Sequence, residues 1–373
     1  MPQKLTCIIP YASISYEIEI QSGLLSNQKE LVKYLSQLAS RFAIITNAHI
    51  ASLYGDQLYR HLSEAGLDSM LLSFPIGEEY KSRQTKEILE DKMFEKGFGR
   101  DTCLIALGGG IVTDVGGYVA ATYCRGIPLV MIPTSLLAMV DASIGGKTGV
   151  NVPYGKNLIG STYQPQKVFI DPSLLKTLPF NELRNGIVEM IKHGLIASYA
   201  YFEYLETHCE KLLKLDSKTL EDAIFESCRI KKEIVEQDEK EVGKRRLLNF
   251  GHTVGHALEN LMRYAIPHGE AVAIGLLVES HLAVQLGHLD CNSFDRIRKI
   301  LSTYALPLKL PSHFPIQTIL DAMIVDKKSL KGRPRFAIID RIGSSIDFGV
   351  AYCTYVDETL IRNALQWMND EMR

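Results

Sequence analysis

His252 and His256, in the stretch Asn249-Phe-Gly-His252-Thr-Val-Gly-His256-Ala-Leu-Glu259, stand four residues apart. On a helix that spacing puts both imidazoles on one face. His268, in Pro267-His268-Gly269-Glu270, comes twelve residues after His256 and opens another helical pattern, with Pro267 and Gly269 fixing the turn. Three imidazoles so close together suit a catalytic zinc, which takes about three protein ligands and keeps one position open for a substrate oxygen. The glutamate base of the HExxH zinc proteases is absent, because Thr253, Val254 and Gly255 fill the interval. Glu189, in Gly186-Ile-Val-Glu189-Met-Ile-Lys192-His193, falls on a mostly apolar helical face, where a carboxylate needs a cation or a metal as partner. On these residues alone, the histidines serve either a metal or a hydrogen-bonded core.

A second group of residues lies upstream. Gly108-Gly-Gly110 follows the apolar run Cys103–Leu107 and precedes a helical pattern containing Asp114, Gly116 and Gly117. Glycines there permit either a tight strand-to-helix turn or the close approach of a phosphate to a helix amino end. The spacing is not GxGxxG. Asp141-Ala-Ser-Ile-Gly-Gly-Lys147-Thr is not a P-loop either, since Asp141 stands where the pattern requires glycine and no strand runs directly into it. What remains is Lys147 among small residues, then Gly155-Lys156-Asn157, a set suited to a phosphate or carboxylate or simply to solvent.

The elements that must position these groups change in texture along the chain. Phe42–Thr46, Met70–Phe74, Cys103–Leu107, Leu129–Ile132 and Val168–Asp171 read as strands, with Ile50–Ala65, Thr85–Lys96 and Asp114–Cys124 as helices between them. That alternation predicts a parallel sheet with helices on its faces. Asp171–Pro179, with two prolines, is the expected boundary. Beyond it the amphipathic patterns Glu182–Ala197, Thr219–Glu236, Leu247–Tyr264, Glu270–Leu286 and Ser293–Leu301 predict a mostly α-helical half. Phe336–Ile339 and Phe348–Tyr352 are expected to form a small hairpin. The expected division is an α/β nucleotide-binding domain over residues 1–175 and a helical metal- and substrate-binding domain over 176–373.

Composition narrows the function classes. The chain has 373 residues, too many for one hydrophobic core, with 46% hydrophobic and 23% charged residues. A net charge of −2 gives no reason to expect nucleic acid or a membrane surface as partner. The seven cysteines are scattered without a CxxC pair, which argues against a disulfide framework and a thiolate zinc site. The segment MPQKLTCIIPYASISYE lacks a basic stretch followed by an apolar run, and Ala271–Leu286 is interrupted by Glu279 and His281 and is shorter than the ~20 residues of a membrane span. A cytoplasmic location is expected.

Taken together, GEEYKS (77–82), ALGGGIVTDVGGYVAATYCRG (106–126), IPTSLLAMVDASIGGKTGVNVPYGKNLIG (132–160), TLPFNELRNGIVEMIK (177–192), LLNFGHTVGHALE (247–259), PHGEAVAIG (267–275) and DKK (326–328) resemble the 3-dehydroquinate synthase family, in its order and spacing. The resemblance implies a homodimer that converts 3-deoxy-D-arabino-heptulosonate 7-phosphate to 3-dehydroquinate and phosphate, using and regenerating NAD, with zinc or cobalt. It implies Glu189, His252 and His268 as metal ligands, leaving His256 to the phosphate side or to proton handling. It implies Asn47 at the adenosine ribose and Glu78, Lys81, Gly109, Gly110, Asp114, Thr134, Ser135, Thr177 and Glu182 along the dinucleotide, with Asp141 and Lys147 near the nicotinamide. Lys156, Asn157, Lys192, Lys231, Arg245, Asn249 and Arg335 are then expected around the substrate, and Arg125 at the phosphate of the partner subunit's site. Thr113 stands where the family commonly has glycine, Ser135 replaces the second of two threonines, and IVEMIK stands for the usual AEVIK. The alternatives are another sugar phosphate cyclase or a metal-dependent polyol dehydrogenase.

Overall fold

Runs of buried aliphatic residues build the first half. In the computed structural model, which describes residues 15–26, 28–263, 265–311, 314–325 and 333–371, six strands form one sheet. They are β1 (Glu17–Ile20), β2 (Arg41–Asn47), β3 (Asp68–Phe74), β4 (Thr102–Gly108), β5 (Leu129–Pro133) and β8 (Lys167–Ile170), in the spatial order β1-β8-β5-β4-β2-β3. Every neighbouring pair is parallel. β4, β5 and β8 are buried along their whole length, as the continuous apolar runs of a sheet covered on both faces require. The chain leaves β2 toward β3 on one side, then returns past β2 to form β4 and spread the other way. The loops after β2 and β4 therefore part at a topological switch point, where open α/β sheets bind ligands.

The sequence reading missed the helix Gln28–Leu35, the strand β1 and a hairpin in this half. β1 adds an edge to the sheet. β6 (Lys147–Val152) and β7 (Gly155–Thr162) form a separate antiparallel hairpin that packs on α1 (Gly110–Thr122). The hairpin carries Lys147, Lys156 and Asn157.

After the short turn Pro172–Thr177 the chain is mostly helical. The site depends on α2 (Phe180–Ala197), α3 (Ser217–Gln237), α4 (His252–Leu261) and α5 (His268–Gln285), with further helices at Tyr199–Thr207, Cys291–Thr303, Ile316–Val325 and Glu358–Glu371. The expected helix Leu247–Tyr264 is two elements. Lys244–Asn249 is a tight single turn, and the chain bends at Gly251, whose φ of +79° favours glycine, before α4 starts. The expected hairpin of Phe336–Ile339 with Phe348–Tyr352 is also corrected. Arg335–Phe336 pairs with Thr354–Tyr355, and Ile339–Arg341 with Ser344–Ser345. The Phe348–Tyr352 segment is a turn, in which Phe348, Val350 and Tyr352 all have positive φ. The Asp326-Lys327-Lys328 motif lies outside the described residues. Among those described, no helix is long and apolar enough to cross a membrane.

Candidate active site

The helical half brings a carboxylate and two imidazoles to one point. Glu189 lies on α2 with no exposed surface. Its Oε1 is 3.5 Å from His252 Nε2 on α4 and 3.5 Å from His268 Nε2 on α5. The three ligand atoms lie within 4.8 Å of one another, and Glu189 Oε1 is buried with no hydrogen-bond partner among the described residues. His252 Nδ1 lies 3.1 Å from the Phe250 carbonyl, and His268 Nδ1 lies 3.3 Å from Glu259 Oε2. Those contacts direct both Nε2 atoms toward Glu189. Two oriented imidazoles and an orphaned carboxylate oxygen fit a divalent cation. Burial disfavours a charged His268, but Glu259 and Glu189 outweigh it and raise its pKa to about 10. The pocket attracts positive charge. His256, one turn along α4, stands beside this set with its ring 5.3 Å from that of His252.

A second cluster abuts the first. Lys192 on α2 donates to Glu189 Oε2. Lys231, buried on α3, donates to Asp141 Oδ1 at 2.5 Å, joining the strand half to the helical half. Burial alone would raise the Asp141 carboxyl, but Lys231 and Lys192 hold it well below the ordinary carboxylate range. Burial also lowers His193, to about 3 with the help of Lys192, and its Nδ1 is 2.8 Å from Ser227 Oγ. Arg245 is almost fully buried and donates to the Glu239 and Gly145 carbonyls at 2.6 and 2.9 Å. Its Nε, like that of Arg335, is buried without a partner among the described residues.

The hairpin closes over these helices. Lys156 Nζ is 3.0 Å from Glu259 Oε1 and 3.7 Å from Glu78 Oε1. Lys147 donates to Glu241, which also accepts from Asn249. Asn157, exposed, has a φ of +54° and takes its place through its N–H on Asn151 Oδ1 at 3.0 Å. The sequence reading missed Glu241, Glu259 and Glu279. The last two were detectable as carboxylates on apolar helical faces, where an unpaired charge is costly.

The expected dinucleotide residues share the carboxyl ends of the strands. Asn47 ends β2 and its Oδ1 accepts the Ile50 N–H. Glu78 and Lys81 follow β3, and Lys81 donates to Asp114 on α1. Gly109 and Gly110 follow β4, and Thr134 and Ser135 follow β5. Thr177 joins this rim through Tyr54, 2.5 Å from its hydroxyl. Glu182 sits on α2, accepting from Asn185 at 3.0 Å. Cβ atoms at Gly109 and Gly110 would meet their nearest neighbours only at 3.3 and 3.6 Å, and neither glycine has positive φ. The fold leaves room for a Cβ at Gly110, while one at Gly109 would crowd the Ser135 hydroxyl. A cradle that a Cβ would fill fits a dinucleotide phosphate lying against the backbone. Arg125 is apart from all of this. It is exposed in the turn that follows α1, where Cys124 and Arg125 both have positive φ.

The chain is similar to known proteins along most of its length. The family model described as "3-dehydroquinate synthase N-terminal" matches residues 71–185, and that described as "3-dehydroquinate synthase C-terminal" matches 186–329. A 3-dehydroquinate synthase of Nitrosospira multiformis is 45% identical over 333 residues, 89% of this chain and 90% of its own. Among solved structures, 2-epi-5-epi-valiolone synthase of Streptomyces hygroscopicus, with NAD+ and Zn2+ bound, superposes with a TM-score of 0.86 at 28% identity, covering 97% of this chain and 99% of that one. A 2-deoxy-scyllo-inosose synthase complexed with carbaglucose-6-phosphate, NAD+ and Co2+ gives 0.85 at 25% identity, covering 94% and 96%.

Proposed function

Because the chain belongs to the 3-dehydroquinate synthase family, we propose that it converts 3-deoxy-D-arabino-heptulosonate 7-phosphate to 3-dehydroquinate and phosphate, using NAD and zinc or cobalt. The observation that carries the reading is Glu189 Oε1, buried and orphaned between His252 Nε2 and His268 Nε2. Those three residues hold the cation. When bound, the cation polarises substrate hydroxyls and NAD accepts and later returns a hydride.

The protein's own groups bind and orient. The residues at the strand ends, Asn47, Gly109, Gly110 and Thr134 among them, hold the dinucleotide across the switch point, with Asp141 and Lys147 at its nicotinamide end. Lys231 and Arg245 hold the substrate carboxylate, and the unpartnered Arg245 Nε supports this. Lys147, Asn157, Arg335 and Arg125 of the partner subunit hold the phosphate. Held by these groups and fixed beside the ring, the substrate's own phosphate oxygen accepts the proton lost before elimination, so proximity replaces a protein base. His256 and Lys192 border the reacting face and are placed to pass protons.

The remainder of the reading is that residues 1–175 bind nucleotide and 176–373 bind metal and substrate, in a cytoplasmic homodimer. Arg125, exposed on the surface, supports the dimer, since a partner subunit can meet it there. Another sugar phosphate cyclase is the second reading, favoured only by overall architecture. The test compares turnover of the carboxylated heptulosonate phosphate with that of a sugar phosphate lacking a carboxylate. Preference for the former upholds the assignment; preference for the latter overturns it.

A further inference from the structure

We propose that Glu279 is a positioning residue for the metal centre, clamping the amino end of α4 so that His252 points its Nε2 at Glu189. The proposal rests on the reading of His252 as a metal ligand. Glu279 has no exposed surface and lies in a helix whose residues are buried along most of its length. Its Oε2 accepts the Gly251 N–H at 2.8 Å, and its Oε1 accepts the Thr253 and Val254 N–H groups at 3.1 and 3.2 Å. The first N–H groups of a helix have no intrahelical partner, and here solvent cannot supply one. α4 and α5 meet backbone to backbone: a Cβ on Gly275 would lie 1.8 Å from the Gly251 carbonyl oxygen. A carboxylate offers acceptors only, matches three donors, and suits the positive end of the helix dipole.

The clamp spans the residue that matters. It grips the chain on both sides of His252, at the bend that Gly251 makes with its positive φ. His252 Nδ1 is held in turn by the carbonyl of Phe250, one residue before the clamped segment. Glu279 follows His268 by eleven residues, close to three helical turns, so one face of α5 carries both a ligand and the support of the other imidazole ligand.

The test measures Zn2+ affinity by competition with a chromophoric chelator, and the visible spectrum of the Co2+ form, for the full-length protein, Glu279→Gln and Leu282→Ala. The amide turns a donor toward donors, so Glu279→Gln should lose about 10- to 100-fold in Zn2+ affinity and shift the Co2+ bands. Leu282→Ala, a cavity in the same helix, should lower stability and leave both unchanged. Wild-type affinity and spectrum in Glu279→Gln, or equal losses in Leu282→Ala, overturn the clamp. Failure of the wild-type protein to bind Zn2+ overturns the underlying metal assignment instead. Should Glu279→Gln not fold, hydrogen exchange of the wild-type apoprotein decides. Slow exchange at Gly251, Thr253 and Val254 upholds a preformed clamp, and exchange that becomes slow only with Zn2+ contradicts it.

Discussion

Lys156 Nζ, on the hairpin of the strand half, stands 3.0 Å from Oε1 of Glu259 on α4, whose other oxygen stands 3.3 Å from His268 Nδ1. A lysine from one half thus supports, through one carboxylate, an imidazole of the other. Burial would raise the Glu259 carboxyl, but His268 and Lys156 hold it well below the ordinary range. Glu259→Gln removes the charge and keeps an acceptor. We expect Zn2+ affinity to fall by about 10- to 100-fold, read by chelator competition. Unchanged affinity would mean that Glu259 does not orient His268.

In the proposed metal centre Glu189 is the anionic ligand. Glu189→Ala should leave the isolated protein nearly free of zinc and abolish turnover, because two imidazoles alone hold a catalytic ion poorly. Metal analysis of the purified variant checks this, and full zinc occupancy would remove Glu189 from the ligand set.

Lys231 is buried against Asp141 at 2.5 Å. Lys231→Met should raise KM for the carboxylated substrate by roughly 10- to 100-fold, the worth of a charge-assisted hydrogen bond. It should also destabilise the fold by about 1–3 kcal/mol, since Asp141 loses a partner. Steady-state kinetics and urea unfolding separate the two effects.

Asp238 ties the loop that delivers Arg245. Its carboxylate accepts the N–H groups of Val242 at 3.0 Å, Gly243 at 2.7 Å and Arg245 at 3.0 Å. Burial raises this carboxyl, but the three backbone donors outweigh it and lower its pKa. A depressed folded-state pKa means that the stabilisation is complete above the unfolded value of ~3.9 and is lost as pH falls through the folded value. Asp238→Asn should therefore be less stable than wild type at neutral pH, with the gap closing in acid. Denaturant unfolding at several pH values checks the sign, and a gap that widens in acid would contradict it.

The sheet was legible because β2, β4 and β5 are continuous apolar runs, the last two with glycine close by. The histidine cluster was legible because four-residue spacing and a Pro-His-Gly turn are local signals; which two of the three face Glu189 was not, since spacing favours His256 as much as His268. The β6–β7 hairpin was not, since Lys147–Thr162 mixes glycine, asparagine, proline and lysine and owes its strands to packing on α1. The break at Gly251 was hidden because the apolar period runs through it; only the tertiary contact with Gly275 requires a bend. Glu279 looked like an interruption of an apolar helix because its donors belong to a different helix, and no periodicity reports that.

The most direct measurement is phosphate release from 3-deoxy-D-arabino-heptulosonate 7-phosphate by the wild-type protein with NAD and zinc, with absorbance at the NADH band followed in parallel and a chelator added to a second sample. The account predicts one phosphate per substrate consumed, no net NADH and loss of release with the chelator. Absence of phosphate, or NADH accumulating with turnover, would contradict it.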